Sequence, residues 1–138
     1  MASPTTKRVS PFLKLGFSAG DLGLSWLLPR LIGTARAGEI FYRAESITAE
    51  RALELGLVTM VVEDDLAGAR ELAAELMTRS PFGLRHTKEL LNLSLDAPGL
   101  RTHLAIENRT QTMAFLTEDL REGFAATLEK RAPHFRNR

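Results

Sequence analysis

Between Asp64 and Leu128 apolar residues return every three or four positions, and only one stretch of the chain breaks that rhythm with β-branched side chains. Leu66, Ala69, Leu72, Ala73, Leu76 and Met77 make one helical stripe that starts at Asp64 or Asp65. Ser80-Pro81 closes that segment and opens the next, because serine suits the N-cap and proline the first helical position; Leu84, Leu91 and Leu95 continue the stripe. After the break at Asp96-Ala97-Pro98-Gly99, two more helices are expected over roughly 100–116 and 118–131. Thr117 caps the second, with Glu118 and Asp119 in its positive first turn. Their apolar faces are Leu104 with Phe115, and Leu120, Phe124 and Leu128. Upstream, residues 22–32 form a short helix that Pro29 should bend or end. Thr34 and Thr48 cap helices to about Arg43 and Leu55, and Gly56 stops the latter. The exception is LVTMVV, residues 57–62, read as a buried strand or extended connector. The expected class is mainly α with one short extended segment.

Several amphipathic stripes in 138 residues need more apolar surface to face than one small domain supplies, so a partner subunit is expected. With 44% hydrophobic and 25% charged residues the chain falls in the globular class. A net charge of +1, without aromatic residues interleaved among basic ones, implies no nucleic-acid partner. No apolar run approaches the roughly 20 residues of a membrane span. The absence of cysteine removes disulfide, thiolate and Cys-metal chemistry and fits a cytoplasmic location. MASPTTKRVSP, residues 1–11, reads as a loose leader, too weakly amphipathic for a transit peptide.

The search for chemistry is mostly negative. His86, His103 and His134 are scattered, with no two at the spacing of a metal-binding helix face, so no metal is expected. GFSAG, residues 16–20, matches G-x-S-x-G in letters, yet a nucleophile elbow needs a strand before the serine, and Leu13 to Phe17 is a poor strand. Gly16, Gly20 and Gly23 lack the spacing and the G-K-[ST] ending of a phosphate loop. Asp21 survives. Just before LGLSWLL, it reads most simply as a helix N-cap. Phe17, Leu22, Leu24 and Trp26 around it also suit a proton shuttle, since apolar surroundings favour a protonated carboxyl.

GDLGLSWLLPRLIGTARAGEIFYRAESITAERALELGLVTMVV resembles the enoyl-CoA hydratase/isomerase, or crotonase, family. Its members carry D-x-G or G-x-G, then LPR-x-x-G, R-A-x-E, I-x-A-x-x-A and G-L-V at these spacings. LTEDLREGFAATLEKRAPHF is similar to the family's closing S/T-x-D-x-x-E-G and E-K-R-x-P-x-F. The resemblance covers about residues 15–136 and is to the C-terminal half. It implies the helical part of a ββα-spiral fold, with the N-terminal spiral core absent and residues 12–138 as one crotonase-like region. It also implies an acyl-CoA thioester as substrate with no further cofactor, trimer contacts that often pair into hexamers, and proton transfer through a thioester enolate.

Residue by residue, Asp21 matches the aspartate that dienoyl-CoA isomerase-like members use as a base. Leu22 and Gly23 complete its turn in the pocket wall, Phe115 matches a pocket-lining position, and Lys130 matches a lysine that reaches the CoA phosphates of a neighbouring subunit. Read from the residues alone, Phe115 belongs to a packed stripe, and Lys130, with Arg131, Arg136 and Arg138, to a solvated basic helix end. Trp26, Phe41 and Tyr42 are expected to pack. The family's enolate-stabilising N–H donors come from its N-terminal half, and Phe12 and Leu13 stand where hydratases have a second carboxylate. One base fits isomerisation better than syn hydration. Two readings follow, an acyl-CoA enzyme incomplete as an isolated chain or a noncatalytic oligomerisation or acyl-CoA-binding module.

Overall fold

The apolar rhythm does fold into helices: among the described residues of this computed structural model, 1–8 and 10–138, seven α-helices carry the regular structure. The chain divides into two compact units, Met1–Arg70 and Glu71–Arg138, each taken by itself below.

In the first unit a 3₁₀ turn, Phe12–Leu15, precedes α1 (Leu24–Ile32), α2 (Thr34–Arg43) and α3 (Ala49–Glu54); α4 (Asp65–Leu76) begins in it. α1 packs on α2, burying Leu28 and Ile32 against Ala37 and Leu55, with Leu24, Ile40 and Phe41 half-buried beside them. Pro29 neither bends α1 to a stop nor opens a new segment. The helix loses one N–H donor there, but Gly33 N–H still reaches the Pro29 carbonyl at 2.9 Å, and burial of Leu28 and Ile32 on either side holds the turn. The N-cap of α2 is Gly33 and not Thr34, because the backbone there has φ 84° and ψ 153°, which favours glycine. Phe41 packs as expected, whereas Tyr42 is 82% exposed and Trp26 lies half open under Arg30, whose guanidinium carbon sits 3.2 Å from the ring centre.

The expected loose leader is instead tied down. Ala2 is 1% exposed among Ala49, Ala52 and Val58. Its N–H donates to Met60 at 3.1 Å, and Val62 N–H returns to it at 2.9 Å, a parallel bridge that satisfies part of the LVTMVV backbone. Arg8 and Ile47 exchange a second, antiparallel pair at 3.0 and 2.7 Å. LVTMVV is thus an extended connector with one bridge at Val61.

The second unit holds α5 (Pro81–Ser94), packed on α6 (Leu100–Ala114), and α7 (Glu118–Leu128). The expected caps form: Ser80 Oγ accepts from Gly83 N–H at 3.3 Å and Thr117 Oγ1 from Leu120 N–H at 3.2 Å. In the first unit Thr48 Oγ1 accepts from Arg51 N–H at 3.3 Å, and Asp64 Oδ1 takes the N–H groups of Leu66 and Ala67. The stripes themselves stay largely unfilled. α4 and α5 bury no residue, α6 buries Thr110, and α7 buries Asp119 and Ala126. Leu66, Met77, Leu91, Leu104, Phe124 and Leu128 all face solvent. Among the described residues no helix is long and apolar enough to cross a membrane.

Candidate functional site

The stretch LGFSAGDLG folds as two left-handed corners. Gly16, at φ 84°, closes the 3₁₀ turn by donating to Leu13 at 3.2 Å, while Phe17 N–H reaches Phe12 at 2.9 Å. No strand leads into Ser18, so the nucleophile-elbow geometry is absent. At the second corner Leu22 (φ 51°) and Gly23 (φ 77°) are both left-handed, and Leu24 N–H closes onto the Asp21 carbonyl at 2.9 Å. Two successive positive φ angles under such a bond make a type I′ turn, which glycine accepts at Gly23 and a leucine side chain resists at Leu22.

That turn fixes the three residues singled out by the sequence. The Gly23 carbonyl accepts from Trp26 and Leu27 at 3.1 and 3.0 Å and starts α1, so Gly23 is the N-cap. Asp21 stands two residues too early to cap; its Oδ1 accepts the N–H of Leu22 at 2.8 Å instead. Nor do apolar neighbours enclose it: Leu22 is 90% exposed, and Phe17 and Trp26 are also open. The arrangement offers a solvent-facing carboxylate on a left-handed turn, flanked by uncovered apolar side chains.

In the second unit Phe115 is 67% exposed at the end of α6, so the expected core packing is not made. Its backbone is still helical there, at φ -61° and ψ -18°, so it keeps its place on the apolar face but nothing in the unit covers it. A cleft of about 360 Å³ lies instead among Phe82, His86, Leu90, Ala114, Phe124 and Phe135, and neither Phe115 nor Lys130 lines it. Sequence reasoning missed that cleft, although Phe82 and His86 at i, i+4 spacing, with ring centres 4.2 Å apart, were a readable signal. His86 Nδ1 also lies 3.0 Å from Glu89, and His103 Nε2 3.4 Å from Glu107. Among the described residues no His or carboxylate cluster fits a metal.

Lys130 sits where the chain leaves α7. Its N–H donates to Thr127 at 3.3 Å and Arg131 N–H to Ala126 at 3.0 Å, the paired bonds of a Schellman ending, with Lys130 at φ 53° in the place glycine commonly takes. Beyond it the chain runs back along α7. Glu122 receives the Arg131 guanidinium in a two-bond fork and the His134 N–H at 2.7 Å. Phe135 lies beside Gly123. Asp119, 2% exposed, accepts the N–H groups of Arg136 and Asn137 at 2.7 and 2.9 Å. Glu118 N–H reaches the Arg138 carbonyl at 2.7 Å, and Arg85 holds Asn137 Oδ1 at 2.9 Å. The Arg131 guanidinium, and next the His134 N–H, hold the Glu122 carboxyl down at about 2; Glu122 and Glu129 raise Arg131 in turn. The expected basic cluster is therefore divided, since Arg131 is committed to Glu122 and Glu129. Asp119, which the sequence offered only as a first-turn charge, is a buried anchor.

Comparison with known proteins places this geometry. The enoyl-CoA hydratase/isomerase family model matches residues 1–138. A 1,2-epoxyphenylacetyl-CoA isomerase of Escherichia coli K12 is 39% identical over 137 residues, covering 98% of this chain and 52% of that protein. The crystal structure of a "probable enoyl-CoA hydratase/isomerase" from Mycobacterium abscessus superposes with a TM-score of 0.93 at 34% identity, over 99% of this chain and 54% of that one. An enoyl-CoA hydratase from Bacillus anthracis gives 0.91 at 31% identity, over 99% and 53%. The chain spans about half the length of these relatives.

Proposed function

The chain belongs to the enoyl-CoA hydratase/isomerase, or crotonase, family and carries the helical half of its fold; from that premise we propose that it supplies one wall of an acyl-CoA site working by proton transfer through an enolate. Asp21 is the proton carrier, Leu22 and Gly23 hold its turn, Phe115 lines the acyl or CoA pocket, and Lys130 meets CoA phosphates. The observation that carries the reading is the Asp21-Leu22-Gly23 turn, where a leucine is kept in a left-handed conformation and the carboxylate's only hydrogen bond among the described residues is to the next N–H.

A single carboxylate can remove a proton from one carbon of the acyl chain and return it to another, with no net consumption of acid or base. That suits isomerisation, and the isomerase activity in the name of the E. coli relative supports it. The enolate oxygen formed between the two transfers gathers charge that preorganised N–H donors stabilise in a dry site. We assign those donors to polypeptide equivalent to the part of the relatives outside the match, and the same polypeptide would cover Phe17, Leu22 and Trp26. Homo-oligomerisation, as a trimer or hexamer, fits the unfilled stripes. The second reading, a noncatalytic oligomerisation or acyl-CoA-binding module, is favoured by the openness of Asp21 in this chain.

Crotonyl-CoA or CoA at millimolar concentration should raise the melting temperature of the purified chain, because a ligand that binds only the folded state stabilises it by mass action. Lys130→Ala should shrink the shift, and a flat response to both ligands would end the acyl-CoA reading. Deuterium uptake into bound acyl-CoA, followed by NMR, separates the two proposals: uptake marks an enzyme, binding without uptake a module.

A further inference from the structure

We propose that the return of residues 131–138 along α7, pinned by Glu122 and Asp119, is a positioning device that fixes the direction of the Lys130 side chain toward the phosphates of its ligand; the inference rests on the acyl-CoA reading above.

The closing motif of the chain is accounted for almost residue by residue as a strap. Thr117 caps α7, Asp119 holds the N–H groups of Arg136 and Asn137, Glu122 holds Arg131 and His134, and Gly123 leaves room for the Phe135 ring. Glu129 takes the remaining face of Arg131. Lys130, like Arg121, Arg136 and Arg138, has a cationic group that no hydrogen bond or ion pair engages among the described residues. It also occupies the one position of the helix ending where a side chain is disfavoured, at φ 53°. A lysine serving only to complement the helix dipole could sit anywhere in the last turn without that strain. A left-handed residue clamped on both sides leaves the helix in a single direction, since Arg131, the next residue, is fixed by two carboxylates. Glu122 and Asp119 are thus positioning residues that act through Lys130. Holding a cation in place lowers the ordering cost of the contact it makes with a phosphate.

The test is calorimetric titration of CoA into the full chain and its Glu122→Gln, Asp119→Asn and Lys130→Gly variants, with circular dichroism confirming that each folds. Glu122→Gln keeps an acceptor for the His134 N–H while removing the ionic fork. Lys130→Gly should hold or raise the melting temperature and weaken CoA about tenfold or more, as expected for loss of a charge-assisted contact. Glu122→Gln should weaken CoA several-fold, and the Glu122→Gln/Lys130→Gly double variant should bind no more weakly than Lys130→Gly alone. Asp119→Asn, combined in the same way, should show the same lack of addition. Additive losses, or wild-type affinity in both single strap variants, overturn the positioning role while leaving the acyl-CoA reading intact. No CoA binding by the wild-type chain overturns both.

Discussion

Arg131 grips Glu122 in a fork, Nη1 to Oε1 at 2.5 Å and Nη2 to Oε2 at 2.9 Å, and so ties the chain leaving α7 back to the middle of that helix. The guanidinium, and after it the His134 N–H, lower the Glu122 carboxyl from 4.5 to about 2. A carboxyl depressed in the folded state adds stability that is complete above its unfolded value and is lost as pH falls through its folded value. The strap should therefore be fully closed above about pH 5 and open progressively between 4.5 and about 2. Hydrogen exchange at the His134 amide, corrected for its intrinsic rate, should accelerate across that window in the wild type and show no such step in Glu122→Gln. An amide with pH-independent protection down to about pH 2 would contradict this.

The left-handed Leu22 makes a different kind of prediction. A leucine there carries a conformational cost of roughly 1–2 kcal/mol, and glycine would remove it at the expense of about 0.5–1 kcal/mol of extra unfolded-state entropy. Leu22→Gly should leave thermal stability unchanged or slightly raised. Leu22→Val, with a branched Cβ at the same φ of 51°, should lower it by about 1 kcal/mol or more. Equal melting temperatures for the two variants would show that the turn is not formed in solution.

The helices and their caps were legible because the signals are local. Ser80, Thr117, Thr48 and Asp64 bond to N–H groups two or three residues away, and such contacts depend on little beyond the neighbouring sequence. Asp21 misled because the positive φ angles at Leu22 and Gly23 move the helix start two residues downstream, and nothing in the letters D-L-G announces a left-handed leucine. Ala2, read as part of a loose leader, is buried by partners about 50–60 residues away in the chain, and no local pattern could reveal that. Asp119 was hidden for the same reason: its donors, Arg136 and Asn137, are 17 and 18 residues distant. Phe115 sat on the correct stripe, but periodicity says which face is apolar and not what covers it.

Asp21→Asn separates proton transfer from structure. An asparagine oxygen can still accept the Leu22 N–H that Asp21 takes at 2.8 Å, so the turn and the melting temperature should be preserved. In any preparation that exchanges acyl-CoA protons, losing the proposed general base should slow that exchange by about 10²–10⁴-fold with little change in CoA affinity. An undiminished rate would remove Asp21 from the mechanism. A fall in affinity equal to the fall in rate would assign it to binding.

The unfilled stripe of α4 predicts self-association. Its twelve residues bury nothing, although Leu66, Leu72 and Leu76 share one helical face and Met77 follows directly. Covering a fully exposed side chain of this kind is worth about 1.5–3 kcal/mol; with Leu66 and Met77 57% and 76% exposed and Leu72 and Leu76 38% and 41%, the shared face offers part of what association costs in entropy. Multi-angle light scattering should show an assembly of defined size that persists on dilution into the low-micromolar range. Leu72→Glu with Leu76→Glu places two charges on the same apolar face, and should shift the mass toward the monomer while leaving helical content intact, since the substituted residues already face solvent within one chain. A wild-type chain that stays monomeric at hundreds of micromolar would instead mean that the stripe awaits a different polypeptide.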